Sequence, residues 1–296
     1  MYIINNLSRK IIPLSIIIVT YRSNKFIKKC LLSIINSTVL AKEIIIIDNN
    51  SPKPPNHIVR KVPRGNTSII YKQNKDNSGF AKAANQGAEI ANSKYILFLN
   101  PDLYLSRDAL EEIWKHIRNK NNIVGGKIVG MNNLKTKRTV SNIPSLRTIL
   151  IEFTSLRKVL DKNNTNKSNF WDDSAMNSKK IAQVKSLSGC LLALGKKEFF
   201  KIGKFDERYF LYLEDLDFFM RVRSLGYNPI YIPRILGEHF EGGSSKLFIH
   251  KINERAWDES KRTFVKTHFN ITGSLLSIIF DLDDRLISLY KHIKRK

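Results

Sequence analysis

The sequence predicts an α/β fold with a mostly parallel sheet and helices on both faces, and two observations predict it. Branched and apolar residues come in short unbroken runs: Leu14–Val19, Glu43–Ile47, Ser68–Tyr71, Tyr95–Leu99 and, more weakly, Ile123–Val129. Runs without polar alternation mark strands buried on both faces. Stretches of helical character separate them, at Asn24–Asn36, Phe80–Ala91 and Arg107–Asn119. Regular alternation of the two is the pattern of an α/β domain.

Taken in order, the first run ends in Thr20-Tyr21-Arg22, with Ser23 and Asn24 available to cap the next helix. The second, "EIIII", leads directly into Asp48, and "YILFL" leads through Asn100-Pro101 to Asp102. Both acids therefore stand at the carboxyl edge of the sheet, where ligands of such folds bind. Asp102 either starts a turn or helix after proline or faces a cation. No GxxxxGK[ST] or GxGxxG loop follows the first strand. A diphosphate would then need a hard cation such as Mg²⁺ or Mn²⁺, which takes oxygen ligands.

Two later stretches carry chemistry. In "GKFDERYFLYLEDLDFFMRVRSLGY" the acids Glu214, Asp215 and Asp217 open an otherwise apolar helix. Acids suit a helix N-terminus, and Asp217 and Arg221 form an i,i+4 pair. Glu214 and Asp215 are flanked by bulky apolar residues, and a partly buried carboxylate is a candidate base. "GEHFEGGSSK" follows the strand-like "PIYIP" and reads as a loop carrying His239 and Lys246.

The remaining features bound the function. With 42% hydrophobic residues the chain can bury a core, and its two cysteines read as buried thiols of a reducing compartment. No apolar run reaches the ~18 residues of a membrane span. The formal net charge of +24 draws the chain to polyanions. Nucleic acid is one such partner, yet zinc-finger, RNP and GXXG signatures are all missing. Residues 131–185 form a polar, uneven segment containing "DKNNTNKSN". In residues 271–296, Leu275, Ile279, Leu282, Leu286, Leu289 and Ile293 make one helical stripe, followed by the basic tail Lys291–Lys296. Such a helix can lie on a membrane, pair with a copy of itself, or pack on its own domain.

The segments "LSIIIVTYRSNKFIKKCLLSI", "EIIIIDNNSP", "NSGFAKAANQGAEIANSKYILFLNPDLYL", "SLSGCLLALGKKEFFKIGKFDERYFLYLEDLDFFMRVRSLGY" and "GEHFEGGSS" occur in this order. As an ordered set they resemble the inverting nucleotide-sugar glycosyltransferases of family 2, with the GT-A fold, and more narrowly the bacterial rhamnosyltransferase-like branch. The resemblance implies roles. Thr20, Tyr21 and Asp48 would hold the nucleotide base and ribose, and Gly79, Asn85 and Gly87 would lie against the nucleotide sugar. Asn100 and Asp102 stand where the family has its DxD motif, with only the second acid kept. Asp102 and His239 would hold the divalent metal. Asp215 would be the catalytic base with Glu214 beside it, and Ser188 and Gly189 would line the sugar pocket.

The resemblance further implies a catalytic domain over residues 1–270, its acceptor side in 131–185, followed by the amphipathic helix of 271–296. It implies transfer from a nucleoside-diphosphate sugar, with dTDP-L-rhamnose as the first candidate, to a glycan or lipid-linked hydroxyl. UDP-glucose, UDP-galactose and UDP-N-acetylglucosamine are alternative donors. With the charge and the C-terminal helix, it suggests a peripheral protein on the cytoplasmic face of an anionic membrane, with self-association through 271–296 as another use of that helix.

Overall fold

The computed structural model describes residues 9–131, 134–156, 169–240 and 250–293. In chain order its first half comprises β1 (Ile11–Thr20), α1 (Asn24–Ile35), β2 (Leu40–Asp48), α2 (Asn56–Arg60), β3 (Ser68–Gln73), α3 (Phe80–Ile90), β4 (Tyr95–Leu99), β5 (Leu103–Leu105), α4 (Ala109–Ile117) and β6 (Asn122–Gly130). Then follow β7 (Val140–Ser141), α5 (Leu146–Glu152), α6 (Asp173–Asn177), β8 (Ala182–Gln183), β9 (Ser186–Leu187), β10 (Leu191–Gly195) and α7 (Lys196–Ile202). The last elements are α8 (Glu214–Val222), β11 (Asn228–His239), α9 (His250–His268) and α10 (Asn270–Ile293).

The main sheet runs β3-β2-β1-β4-β10-β6-β11-β5, with β8 on β11. The pairs β1–β2, β1–β4, β2–β3 and β6–β11 are parallel. The unbroken apolar runs have a direct cause. Ile16, Ile18, Ile44 and Ile46 enter the core on one face with Ile27, Leu31 and Ile113. Ile17, Ile45 and Ile47 enter the other with Ala84, Ala88 and Phe218. Successive residues of one strand point to opposite faces, and both faces are covered. Each buried isoleucine contributes about 1.5–3 kcal/mol, so a polar residue in either phase would be costly.

Three features differ from the sequence expectation. β10 reads "LLALG", residues with ordinary helix propensity, yet it lies antiparallel between β4 and β6. Tertiary pairing overrides local preference there. Gly237 and His239, expected in a loop, belong to β11, because that strand pairs with β5 at Gly237↔Leu105 and His239↔Leu103. The C-terminal helix packs on α9, but not through the expected stripe. Leu276 and Phe280 enter a third core with Phe264, Val265, Phe153 and Leu216. Leu275, Ile279, Leu282 and Leu286 are 40–66% exposed. Ion pairs from Arg262 to Asp281 and Asp284, and from Lys261 to Asp284, fix which side turns inward. The side chains of Leu289 and Ile293, the basic tail, Lys246 and most of "DKNNTNKSN" lie outside the described residues.

Candidate active site

The parallel register aligns Thr20, Asp48 and Gln73 at the carboxyl edge. Thr20 is fully buried and its hydroxyl has no hydrogen-bond partner among the described residues. Tyr21 is half-buried, with the Arg22 guanidinium 5.3 Å from its ring centre. Asp48 is fully buried and accepts from the hydroxyls of Ser51 at 2.5 Å and Tyr71 at 3.0 Å. Burial, then the bond to Asp48, pushes the Tyr71 phenol up. In this arrangement Asp48 shapes the end of the crevice through its two hydroxyl partners.

Asn49, which the sequence reading did not single out, links this edge to α3. Its Nδ2 donates to the Gly79 carbonyl at 2.8 Å, and its Oδ1 accepts from Asn74 at 2.8 Å. Gly79 has φ +83°, and a Cβ there would collide with the Phe210 carbonyl, so the position requires glycine. Phe80 N donates to that same carbonyl at 2.7 Å. Asn85 does not join the crevice. It is buried and holds the backbone of Phe205 at both of its amide atoms, with Glu207 as a further acceptor. Its role in this structure is to tie α3 to the chain leading into α8.

The Asn100-Pro101-Asp102 turn follows β4. Asn100 N donates to the Cys190 carbonyl at 3.0 Å, and Phe240 N donates to the Asp102 carbonyl at 3.0 Å. The β5–β11 pairing brings His239 beside this turn, with Nε2 3.4 Å from Asp102 Oδ1. Asp102 is buried and His239 half-buried. Two cis ligands of an octahedral Mg²⁺, each at about 2.1 Å, stand about 3 Å apart, so the pair fits two positions of one ion with a small adjustment. Among the described residues no third acid, histidine or cysteine joins them.

Glu214 and Asp215 open α8 after two successive residues in the left-handed region, Tyr212 (φ +73°) and Leu213 (φ +65°). Such conformations cost roughly 1–3 kcal/mol each and persist where the surroundings hold them. Three contacts hold this one. Phe210 O accepts from Phe80 N, Leu211 O accepts from Ser260 Oγ at 2.9 Å, and Asp217 binds both Arg221 (2.7 Å) and His268 (2.8 Å). The result presents Asp215 to the backbone of Gly189, whose N–H donates to Oδ2 at 2.9 Å, while Leu216 N donates to Oδ1 at 2.8 Å. Burial raises the Asp215 carboxyl, and these amides oppose the rise. Glu214 is buried, its Oε2 has no partner among the described residues, and burial followed by the Asp215 charge pushes it up to about 8.

Residues 188–190 join the two halves of the site. Gly189 binds Asp215, and the Cys190 carbonyl receives the Asn100 amide. Burial first, then the charges of Asp215 and Asp102, pushes the Cys190 thiol up to about 11, against a bond to Ser188. Asn100, Ser188, Gly189, Glu214 and Asp215 line one cavity of about 310 Å³. Trp171 and Trp257 also line it. The sequence reading missed both; the available signal was a lone tryptophan in the polar stretch that forms α9. The arrangement offers a carboxylate beside an open cavity, with an acid–imidazole pair reached through one short loop.

The family model described as "Glycosyl transferase family 2" matches residues 15–183. The chain is 24% identical over 163 residues to the rhamnosyltransferase WbbL of Escherichia coli (strain K12), covering 54% of this chain and 58% of that one. It is 31% identical over 123 residues to a poly(ribitol-phosphate) beta-glucosyltransferase of Bacillus spizizenii, covering 40% of this chain and 19% of that one. The chain thus spans under two thirds of these relatives. Among solved structures, S. aureus TarS 1-349 superposes with a TM-score of 0.57 at 17% identity, covering 87% of this chain and 65% of that one. GalNAc-T7 with UDP, GalNAc and Mn²⁺ gives a TM-score of 0.55 at 14% identity, covering 77% and 44%. These likenesses establish the GT-A fold, and on the family match across more than half its length the chain belongs to glycosyl transferase family 2.

Proposed function

We propose that the chain is an inverting glycosyltransferase that moves a sugar from a nucleoside diphosphate to an acceptor hydroxyl. The observation that carries this reading is Asp215, held by the Gly189 amide at a cavity also lined by Asn100, which opens the turn carrying Asp102, the partner of His239. Asp215 accepts the acceptor's hydroxyl proton as that oxygen attacks the anomeric carbon. The new C–O bond forms opposite the breaking bond to the diphosphate, which leaves with its electron pair, so the anomeric centre inverts. The leaving group needs no proton, so one base suffices, in contrast to glycoside hydrolysis. A base so placed is worth about 10²–10⁴-fold. A divalent ion, Mg²⁺ or Mn²⁺, held by Asp102 and His239 would stabilise charge on the departing diphosphate.

dTDP-L-rhamnose is the first candidate donor, supported by the rhamnosyltransferase among the relatives. UDP-sugars are the second, supported by the UDP- and UDP-GlcNAc-bound neighbours. The acceptor we propose is a hydroxyl of a glycan or lipid-linked molecule. Thermal-shift titration of nucleoside-diphosphate sugars, with and without Mn²⁺, identifies the donor. Asp215→Asn is expected to bind that donor and to lose at least 100-fold in transfer rate. Full turnover by the variant excludes Asp215 as base.

The site of action we propose is the cytoplasmic face of an anionic membrane. Among the described residues no helix is long and apolar enough to cross a bilayer. Ile271, Leu275, Ile278, Ile279, Leu282 and Leu286 are nevertheless 40–82% exposed along α10, in a chain of net charge +24. An apolar stripe on a strongly basic chain suits an interface bound by burial and charge together. The intact chain is expected to co-sediment with phosphatidylglycerol vesicles at low salt, and Leu282→Asp/Leu286→Asp to remain in solution. Equal sedimentation of both, or a stripe-dependent dimer without vesicle binding, refutes the membrane role.

A further inference from the structure

Resting on the transferase reading above, we propose that the cavity beside Asp215 takes the reacting unit of the acceptor as an uncharged pyranose ring, and excludes units that carry phosphate. Its walls are aromatic. Trp171, Tyr212 and Trp257 line it and are each half-buried, so each keeps accessible ring surface. Their positions are fixed from behind. Phe170 packs edge-on against Trp171 at 4.9 Å and Phe153 against Trp257 at 5.4 Å, while Tyr212 and Trp257 meet at 6.1 Å. A pyranose offers C–H bonds on its ring faces and hydroxyls around its edge. Rigid aromatic walls suit the faces, and scattered polar groups suit the edge.

The polar groups match that edge. Two side-chain atoms at the cavity are buried and have no partner among the described residues: Glu214 Oε2, and Trp171 Nε1, which can only donate. Buried polar atoms are nearly always satisfied. A hydroxyl, which both donates and accepts, answers either. Ser186 and Ser188 add hydroxyls to the lining. Glu214 and Asp215 stand at the base of the cavity, where the reacting hydroxyl must lose its proton.

Charge decides against phosphate. The chain carries 50 lysines and arginines, yet among the described residues lining this cavity the sole cation is Arg138, and its guanidinium lies 5.6 Å from the Trp171 ring centre. Two carboxyl groups face it. Bringing a phosphate into this cavity means desolvating a dianion beside the Asp215 carboxylate and the buried Glu214 carboxyl, with one arginine to offset the charge. The volume, about 310 Å³, lies at the low end of small-ligand sites, roughly 300–1,000 Å³, and suits one ring. Phosphate groups elsewhere on a longer acceptor would meet the basic surface outside the cavity.

The test uses the full chain in a Trp114→Phe background, so that emission comes from Trp171 and Trp257. The probes are methyl α-L-rhamnopyranoside, methyl β-D-glucopyranoside and N-acetylglucosamine, against glucose 6-phosphate, ribitol 5-phosphate and inorganic phosphate. At least one neutral pyranoside is expected to shift the emission saturably, at least tenfold more tightly than any phosphorylated probe. Trp257→Ala is expected to weaken that binding about tenfold and Trp257→Phe less than threefold, with UDP or dTDP binding unchanged by calorimetry. A phosphorylated probe that binds as tightly overturns the proposal. So does a folded, nucleotide-binding chain that responds to no neutral pyranoside. Saturable pyranoside binding without any nucleotide binding overturns the transferase reading instead, and leaves the ring-binding cavity supported.

Discussion

Replacing Glu214 by glutamine should stabilise the protein at alkaline pH while leaving it nearly unchanged in mild acid. Glu214 is 6% exposed, and its pKa rises from 4.5 to about 8 through burial and the neighbouring Asp215. Between those two values the folded chain holds a proton that the unfolded chain has released. Stability therefore falls as pH rises, by at most about 1.4 kcal/mol per unit for this group. Across the window of roughly 3.5 units the full loss is at most about 5 kcal/mol. Glutamine keeps the shape and cannot ionise. Urea unfolding followed by circular dichroism at pH 5, 7 and 8.5 is the assay. The two chains should agree within about 1 kcal/mol at pH 5, and the variant's lead should grow with pH to at most about 5 kcal/mol at pH 8.5. A difference that stays flat across this range, or that shrinks as pH rises, refutes the assignment of a neutral buried carboxyl.

His268→Ala removes one partner of the buried Asp217 carboxylate, which keeps Arg221. The expected loss is about 1.5–3 kcal/mol in chemical denaturation, together with a fall in kcat at nearly constant donor KM, because the strained entry to α8 loosens. His268→Gln should recover much of the rate, and an unchanged kcat in the alanine variant rules out the positioning role. Two glycines should separate cleanly. Gly79→Ala places a Cβ against the Phe210 carbonyl at φ +83° and should lower stability by about 2 kcal/mol or more. In contrast, an added Cβ at Gly189 meets Asp215 Cβ at 3.6 Å, an ordinary contact, so Gly189→Ala should keep the melting temperature within a few degrees. The reverse order in a thermal scan would contradict the geometry given for both loops.

Much of the sheet was legible because its physics is local. Ile16 to Ile18 and Ile44 to Ile47 are apolar in both phases since both faces are covered, and that leaves an unbroken run in the sequence. β10 was not legible, because "LLALG" is a strand only through its neighbours β4 and β6. Asp102 and His239 meet through the β5–β11 pairing, a long-range event that spacing alone does not encode; the family resemblance supplied it. Asn85 shows the opposite limit. Its motif suggested a ligand contact, while its amide is taken up by Phe205 and Glu207. Periodicity found an apolar stripe on α10, but that helix also carries Leu276 and Phe280. Which side faces inward was decided by Arg262 and Lys261 on α9, beyond the reach of a single-helix pattern.

A half-buried cysteine lining a cavity together with Asp215 would ordinarily invite alkylation or oxidation. Cys190 is protected by its setting, since a thiol with a pKa near 11 is ionised in only about one molecule in 10⁴ at neutral pH. Burial first, and then the negative charges of Asp215 and Asp102, keep its sulfur a poor nucleophile. Electrophilic warheads aimed at this cleft would gain little from the sulfur, and competitive sugar mimics are the better starting point for inhibition.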